Sequence, residues 1–267
     1  GRQQVNTCGN LQPTLKGKHE SLSSLNGFYG YCAYRVVIGG GQEDAEVITL
    51  VDVMIHRLCL SVGTFGEHVE EIGKESTEIH ALNLTDEKQL EEMISVLPKL
   101  DGVVSNAGIV YSLLAKFNES KDMERIFNIN TFSHINLIQG LIKGKKLNKS
   151  ASIVFTSSMS GVYCGLAGGS LYGATKAALA GYSKALAIEL APRGIRVNTV
   201  HPGMIQTPLI SNTSLSQELL EEDAKNYPLG RYGKSEEVAA AMCYLLSDAT
   251  VWMTGTQLLI DGGYSLK

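Results

Sequence analysis

The sequence predicts an α/β fold, a doubly wound parallel sheet with helices on both faces, and three observations carry that prediction. From about residue 76 onward, short β-rich runs alternate with helix-period segments through to the end of the chain. Several runs close in turn residues, Asn106-Ala107-Gly108 and Pro202-Gly203 among them. Those turns lie at the carboxyl ends of strands, where such a sheet opens its ligand crevice. The chain has 267 residues, 44% of them hydrophobic and 19% charged, with no internal repeat, low-complexity run or dividing linker. A single domain over residues 1–267 is expected, with residues 1–75 of different texture.

The elements follow in order. Residues 78–84 read as a strand, 85–97 as a helix opened by a Thr/Asp cap, and 102–105 as a short buried strand. A helix over 122–142, a strand over 152–156, a helix over 172–190 and a strand over 195–200 come next. A last helix, 235–246, precedes a final strand at 257–260, against which Trp252 and Met253 are expected to pack. In the first 75 residues the periodicities are weak. One arrangement would still supply the first βαβ units: strand 35–38, the turn Gly39-Gly40-Gly41, helix 43–55, strand 57–62 and helix 67–74.

Composition excludes several functions. A formal charge of -4 offers no excess of base for a phosphate backbone, so no nucleic-acid partner is expected. The stretch 151–175, which carries no formal charge, contains ten Ser or Gly residues and would make a poor membrane span. Five cysteines without a C-x-x-C pair, and six histidines without a ligand spacing, point to a reduced, cytoplasmic and metal-free protein. The first ten residues show no charged segment leading into an apolar one, so no secretory signal is read.

Chemistry concentrates in one place. Ser157 and Ser158 end a predicted strand, and Tyr172-Gly-Ala-Thr-Lys176 opens a helix on which Tyr172 and Lys176 share a face. An ammonium beside a phenol favours the phenolate, so Lys176 is expected to lower the pKa of Tyr172 and let it act as acid and base. Asn106 and Gly108, Asn130 and the stretch from Ile195 to Gly203 followed by Thr207 fall where all can face the same crevice. His201 lies beside that crevice, and a single histidine there reads as structural or exposed.

These residues resemble the short-chain dehydrogenase/reductase family, and within it the 3-oxoacyl-(acyl-carrier-protein) reductases. The likeness runs over residues 79–267 and includes Leu82-Asn83-Leu84-Thr85-Asp86, the Asn-Ala-Gly turn, Asn130, the Ser, Tyr and Lys, and Pro228-Leu-Gly-Arg-Tyr-Gly233 through Asp261-Gly-Gly263. The resemblance implies a Rossmann-like fold, NADP or NAD as cofactor and a small-molecule carbonyl or alcohol substrate. It further implies that Ser158 bonds the substrate carbonyl, that Tyr172 donates the proton, and that Lys176 tunes Tyr172 and holds the nicotinamide ribose. Asn130 would keep a water in the proton relay, Asn106 and Gly108 would run past the cofactor ribose, and Asn83 would meet the adenine edge. Pro202, Gly203, Ile205 and Thr207 would contact the nicotinamide. A homo-oligomer, a tetramer as in much of the family, is implied as well. The helix face formed by Gly173, Ala174, Ala177, Ala180 and Gly181 would then lie between subunits.

Two departures qualify the likeness. The loop from Ser158 to Tyr172 is one residue longer than is common, which leaves Ser157 as an alternative to Ser158. The family's glycine-rich phosphate loop is absent from the first 75 residues, and the triple glycine is followed by Glu43 and Asp44, which repel a phosphate. Weak cofactor binding is therefore expected. Two alternatives follow from the same gap: a catalytically silent scaffold subunit, or an altered reading frame over residues 19 to about 75.

Overall fold

The computed structural model describes residues 34–39, 50–55, 77–79, 82–206 and 217–267, all within the second of two compact units, Cys32–Lys267. A seven-stranded sheet runs in the order β3-β1-β2-β4-β5-β6-β9. Its strands are β1 (Tyr34–Gly39), β2 (Leu50–Ile55), β3 (Thr77–Ile79), β4 (Leu100–Ser105), β5 (Leu147–Thr156), β6 (Arg196–Pro202) and β9 (Gln257–Ile260). The helices are α1 (Glu87–Val96), α2 (Ser120–Phe127), α3 (Ser133–Lys143), α4 (Ser170–Leu190), α5 (Gln217–Ala224) and α6 (Ser235–Leu246). A two-stranded parallel ladder, β7 (Ile205–Gln206) with β8 (Gly233–Lys234), stands apart from the main sheet.

The expected α/β architecture is present, with one local correction. The pairs β4/β5, β5/β6, β6/β9 and β1/β3 are parallel, whereas β2 runs antiparallel to both β1 and β4. The expected helix over 43–55 is thus replaced at its end by a strand. Val51, Val53 and Ile55 put β-branched residues at period two, which suits a pleated ladder better than a helix. The rest of that helix, the strand 57–62, the helix 67–74 and Gly40 and Gly41 of the triple glycine lie outside the described residues. Of the strand expected over 78–84, Thr77–Ile79 is strand, residues 80 and 81 lie outside the described residues, and Leu82 onward is not strand. Leu82 and Leu84 instead plug the core on either side of exposed Asn83.

Burial on two faces explains the sheet's central strands. Val103, Ile153, Phe155 and Val197 point into one cluster with Leu90, Met93 and Ile94 of α1, Leu137, Ile138 and Leu141 of α3, and Leu179 and Leu186 of α4. Val104, Val154 and Val200 point the other way, onto Val238, Met242 and Leu245 of α6. Met253 packs against this second cluster, but Trp252 is 97% exposed and does not pack on the last strand as expected.

Arg196 ties β6 to α6. Its guanidinium is buried and donates to the carbonyls of Leu245 (2.7 Å), Leu246 (3.2 Å) and Ser247 (3.1 Å) at the end of α6, where Ser152 and Thr250 also donate to Leu245 and Thr250 to Ser247. Arg196→Met should lower the unfolding free energy by about 3 kcal/mol, since buried carbonyls lose a charged donor. An unchanged urea midpoint would refute this role.

Candidate active site

The site forms where β4, β5 and β6 end and α3 and α4 begin. After Ser105 the chain turns through Asn106-Ala107-Gly108, and buried His134 of α3 fastens that turn. One ring nitrogen lies 2.8 Å from the Ala107 carbonyl, an acceptor only, so Nε2 carries the proton and donates to it. Nδ1 then accepts from the Ser105 hydroxyl at 2.5 Å. Burial holds the pKa of His134 down to about 3, with the Lys176 charge adding to the effect, so the ring is neutral.

Asn130 sits in a single π-helical turn, Asn128–Phe132, which breaks the helix expected over 122–142 into α2 and α3. Its Oδ1 accepts from the Ile109 amide (2.8 Å), and its Nδ2 donates to the Ile109 carbonyl (2.9 Å) and to Thr175 Oγ1 (3.2 Å). These bonds lock the segment after the Asn-Ala-Gly turn against α4. A Cβ added to Gly108 would lie 3.2 Å from both Asn130 Oδ1 and Lys176 Nζ, so glycine keeps that turn close to the two side chains.

Lys176 is buried and donates from Nζ to the Thr156 carbonyl at the end of β5 (2.9 Å). Burial lowers its pKa to about 8. The Thr156 hydroxyl donates in turn to Asn106 Oδ1 at 2.6 Å. Ser157 and Ser158 are separated by their partners. The Ser157 hydroxyl donates to the Lys176 carbonyl at 2.8 Å, whereas the Ser158 hydroxyl accepts from the Ser160 amide at 3.1 Å and stands beside the Tyr172 phenol.

Tyr172 departs from expectation in one respect. Burial pushes its phenol above the ordinary tyrosine value, and the neighbouring Ser158 hydroxyl is the counteracting influence. Lys176 Nζ lies 6.0 Å from the Tyr172 ring centroid and is aimed at Thr156, so the desolvation of the phenol outweighs its pull. The phenol is protonated at neutral pH, the form that can give up a proton.

A close contact sets the spacing of Ser158 and Tyr172. A Cβ on Gly161 would fall 2.2 Å from the Gly173 carbonyl oxygen, and Gly161 has a φ of +84°. The loop after Ser158 therefore rests directly on the first turn of α4. Gly161→Val should lower turnover at least about 10-fold by pushing loop and helix apart, with normal cofactor affinity. Parental turnover would show that the contact does not set the site.

The remaining expected residues are distributed as follows. Pro202 accepts from the Met159 amide (3.0 Å), Gly203 donates to the Ile260 carbonyl (2.9 Å), and half-buried Ile205 begins β7. Asn83 caps the turn before α1, its Oδ1 accepting from the Thr85 amide (3.0 Å) and hydroxyl (2.8 Å). Thr207 lies outside the described residues. Sequence reasoning missed His134, Thr156 and Thr175 as parts of the site. The buried-strand pattern ending in Thr156 was the available signal for one of them. No group of three or more His, Cys, Asp or Glu side chains suited to a metal occurs among the described residues, and no described helix is long and apolar enough to cross a membrane.

The donor set fits the nicotinamide-ribose half of a dinucleotide. An ammonium has three protons, and one of them is engaged by Thr156. Two remain for ribose hydroxyls, beside a turn kept open by Gly108. Comparisons with known proteins point the same way. A family model described as Enoyl-(Acyl carrier protein) reductase matches residues 59–265. The chain is similar to a 3-oxoacyl-(acyl-carrier-protein) reductase of Thermotoga maritima, 37% identical over 69% of this chain and 75% of that one. It is also similar to carbonyl reductase family member 4 of Xenopus laevis, 34% identical over 85% and 94% of the two chains. Among solved structures, a short chain dehydrogenase family protein of Francisella tularensis superposes with a TM-score of 0.68 at 30% identity, covering 72% of this chain and 83% of that one. An ElxO variant with NADPH bound gives 0.67 at 30% identity, covering 75% and 83%.

Proposed function

The chain belongs to the short-chain dehydrogenase/reductase family of NAD(P)-dependent oxidoreductases, and we propose that it reduces the carbonyl of a small molecule to a secondary alcohol, or runs the reverse oxidation, with Tyr172 as acid and base. The observation that carries the reading is the placement of the Ser158 hydroxyl beside the Tyr172 phenol, one helical turn from the buried Lys176 ammonium that donates to Thr156. When bound, the reduced nicotinamide supplies the hydride. The chain's own residues do the rest. Ser158 donates to the carbonyl oxygen as negative charge builds there, and the Tyr172 hydroxyl transfers its proton to that oxygen. Lys176 holds the ribose hydroxyls and stabilises the phenolate left behind, with Ser157 bonded to its backbone carbonyl and Thr156 accepting from its ammonium. Asn130 keeps its place in the proton path by bracing Ile109 and Thr175, its side-chain amide being engaged by both. Asn106 and Gly108 line the ribose, Pro202, Gly203, Ile205 and Thr207 the nicotinamide, and Asn83 the adenine edge.

The names of the relatives make a 3-oxoacyl thioester a suitable substrate class. The purified protein should quench or enhance NADPH or NADH fluorescence on titration and oxidise the bound cofactor when acetoacetyl-coenzyme A is added. No turnover with that thioester or with simple ketones at saturating cofactor would sink the reading.

The protein is further proposed to be a reduced, cytoplasmic homo-oligomer. Ala174 and Gly181 of α4 are exposed, no atom lies within 4 Å of a Cβ built on Gly181, and Ile188, a further seven residues on, is 76% exposed. That stripe suits a subunit contact, whereas Gly173 and Ala180 are buried within the protomer. Light scattering at micromolar concentration should give a multiple of 28.8 kDa, preferably four-fold, and a monomer mass would refute it.

A further inference from the structure

We propose that His201 is a positioning residue for Ser158, holding the serine's backbone through a neutral ring that donates from Nδ1; this rests on the catalytic reading of Ser158 and Tyr172 given above. His201 is fully buried in β6, two residues before Gly203, and has no part in the proton transfer as described. Its Nδ1 lies 2.9 Å from the Ser158 carbonyl oxygen, and its Nε2 lies 2.8 Å from Thr199 Oγ1.

The partners define the tautomer. A carbonyl oxygen can only accept, so Nδ1 must carry a proton. Burial disfavours a second proton, and Lys184 and Lys176 oppose it further. Nε2 is therefore bare and accepts the Thr199 hydroxyl proton. This is the opposite tautomer to that of His134, and each ring secures a different strand end.

Ser158 needs such a brace because the β5/β6 ladder ends at Thr156↔Val200. Beyond it, Ser157 and Met159 still donate to the carbonyls of Val200 (2.9 Å) and Pro202 (3.0 Å). The Ser158 carbonyl between them is held by the His201 side chain. The same ring meets Tyr163 edge-on, with centroids 5.3 Å apart and planes at 84°. The Tyr163 hydroxyl donates to the Gln257 carbonyl at 3.2 Å. His201 thus couples the catalytic serine to the loop that follows it and, through Tyr163, to β9. A donor displaced by even an ångström loses alignment with the carbonyl oxygen on which charge develops, which lowers kcat without touching the cofactor.

The test compares His201→Asn, which keeps an N–H at the Nδ1 position, with His201→Leu, which removes it, and His201→Gln, which moves it. Expected results are a kcat on acetoacetyl-coenzyme A lowered at least about 10-fold in the Leu and Gln variants. NADPH affinity should stay within about two-fold of the parent, and the Asn variant should recover most of the turnover. Parental kcat in a folded Leu or Gln variant, or an Asn variant no better than Gln, would overturn the proposal. If the Leu variant does not fold, the Asn and Gln pair decides. Nitrogen-15 NMR of the parent's imidazoles supplies a readout independent of turnover: the Nδ1–H form of His201 is expected, and an Nε2–H form would refute the brace. A parent without turnover, or a fully active Tyr172→Phe, would instead remove the hydride-transfer reading and leave the tautomer result standing.

Discussion

Tyr172→Phe is expected to lower turnover by about 10²-fold or more while leaving the fold and the affinity for NADPH near parental values. The substitution removes one oxygen. The ring is kept, and the packing of Gly161 on Gly173 does not involve the phenol oxygen. What is lost is the proton that must reach the substrate oxygen as hydride arrives at carbon. Ser158 can still donate a hydrogen bond, so a residual rate above the uncatalysed one should remain. The same chemistry predicts the pH dependence. Burial raises the phenol's pKa, so the protonated form persists through neutral pH and carbonyl reduction holds its rate there. Alcohol oxidation needs the phenolate as base and should rise as pH climbs toward the alkaline side. Stopped-flow or steady-state assays in both directions check this, and an oxidation rate that falls between neutral and alkaline pH would contradict the assignment.

The carboxyl-terminal two thirds of this fold were legible because local pattern and tertiary role agree there. Ile153, Val154 and Phe155 form a continuous apolar run, and both faces of that strand are covered. The interruption at Asn128–Phe132 was not legible. A π turn inserts one residue into a helical register without altering composition, and its cause is the tertiary demand that Asn130 reach Ile109. Strand β2 was misread for a different reason. Leu50 and Met54 satisfy a helical period, while Val51, Val53 and Ile55 satisfy a strand period, and pairing with β4 decides between them.

The candidate site was legible as a set of residues and not as an electrostatic arrangement. Spacing placed Tyr172 and Lys176 on one helix face, which the structure retains. The direction of the Tyr172 shift depends on burial, and burial is a property of the packed loop and sheet rather than of the interval between two residues. Ser157 and Ser158 illustrate the same limit. Adjacent residues at a strand end point to different sides, but sequence does not reveal which side holds the phenol. The Ser157 hydroxyl is engaged by the Lys176 carbonyl, which favours Ser158 in the proposed reading.

Lys176→Met is expected to lower both cofactor affinity and turnover while changing the pH dependence of stability in a direction set by burial. In the folded protein Lys176 has its pKa lowered from 10.5 to about 8. Below about pH 8 the side chain is protonated in both folded and unfolded chains, and its contribution does not vary with pH. Between 8 and 10.5 the unfolded chain binds the extra proton and the folded one does not, so stability rises with pH across that window. The rise is on the order of 3 kcal/mol, from 1.36 kcal/mol for each pH unit. Equivalently, burying the ammonium costs about that much at neutral pH, partly offset by its bond to Thr156. Methionine keeps an unbranched stem and carries no charge. The variant should therefore be at least as stable as the parent at neutral pH, and the parent should gain on it as pH approaches about 10. Function should move the opposite way. With the ribose donors gone, NADPH affinity should fall by about 10-fold or more, and turnover by roughly 10²-fold as the phenolate loses its neighbouring cation. Urea titrations of both proteins across the alkaline window measure the first effect, and fluorescence titration with single-turnover assays measures the second. A parent whose stability does not gain on the variant's from neutral to alkaline pH would show that Lys176 is not desolvated as described, and unchanged NADPH affinity would remove it from the ribose.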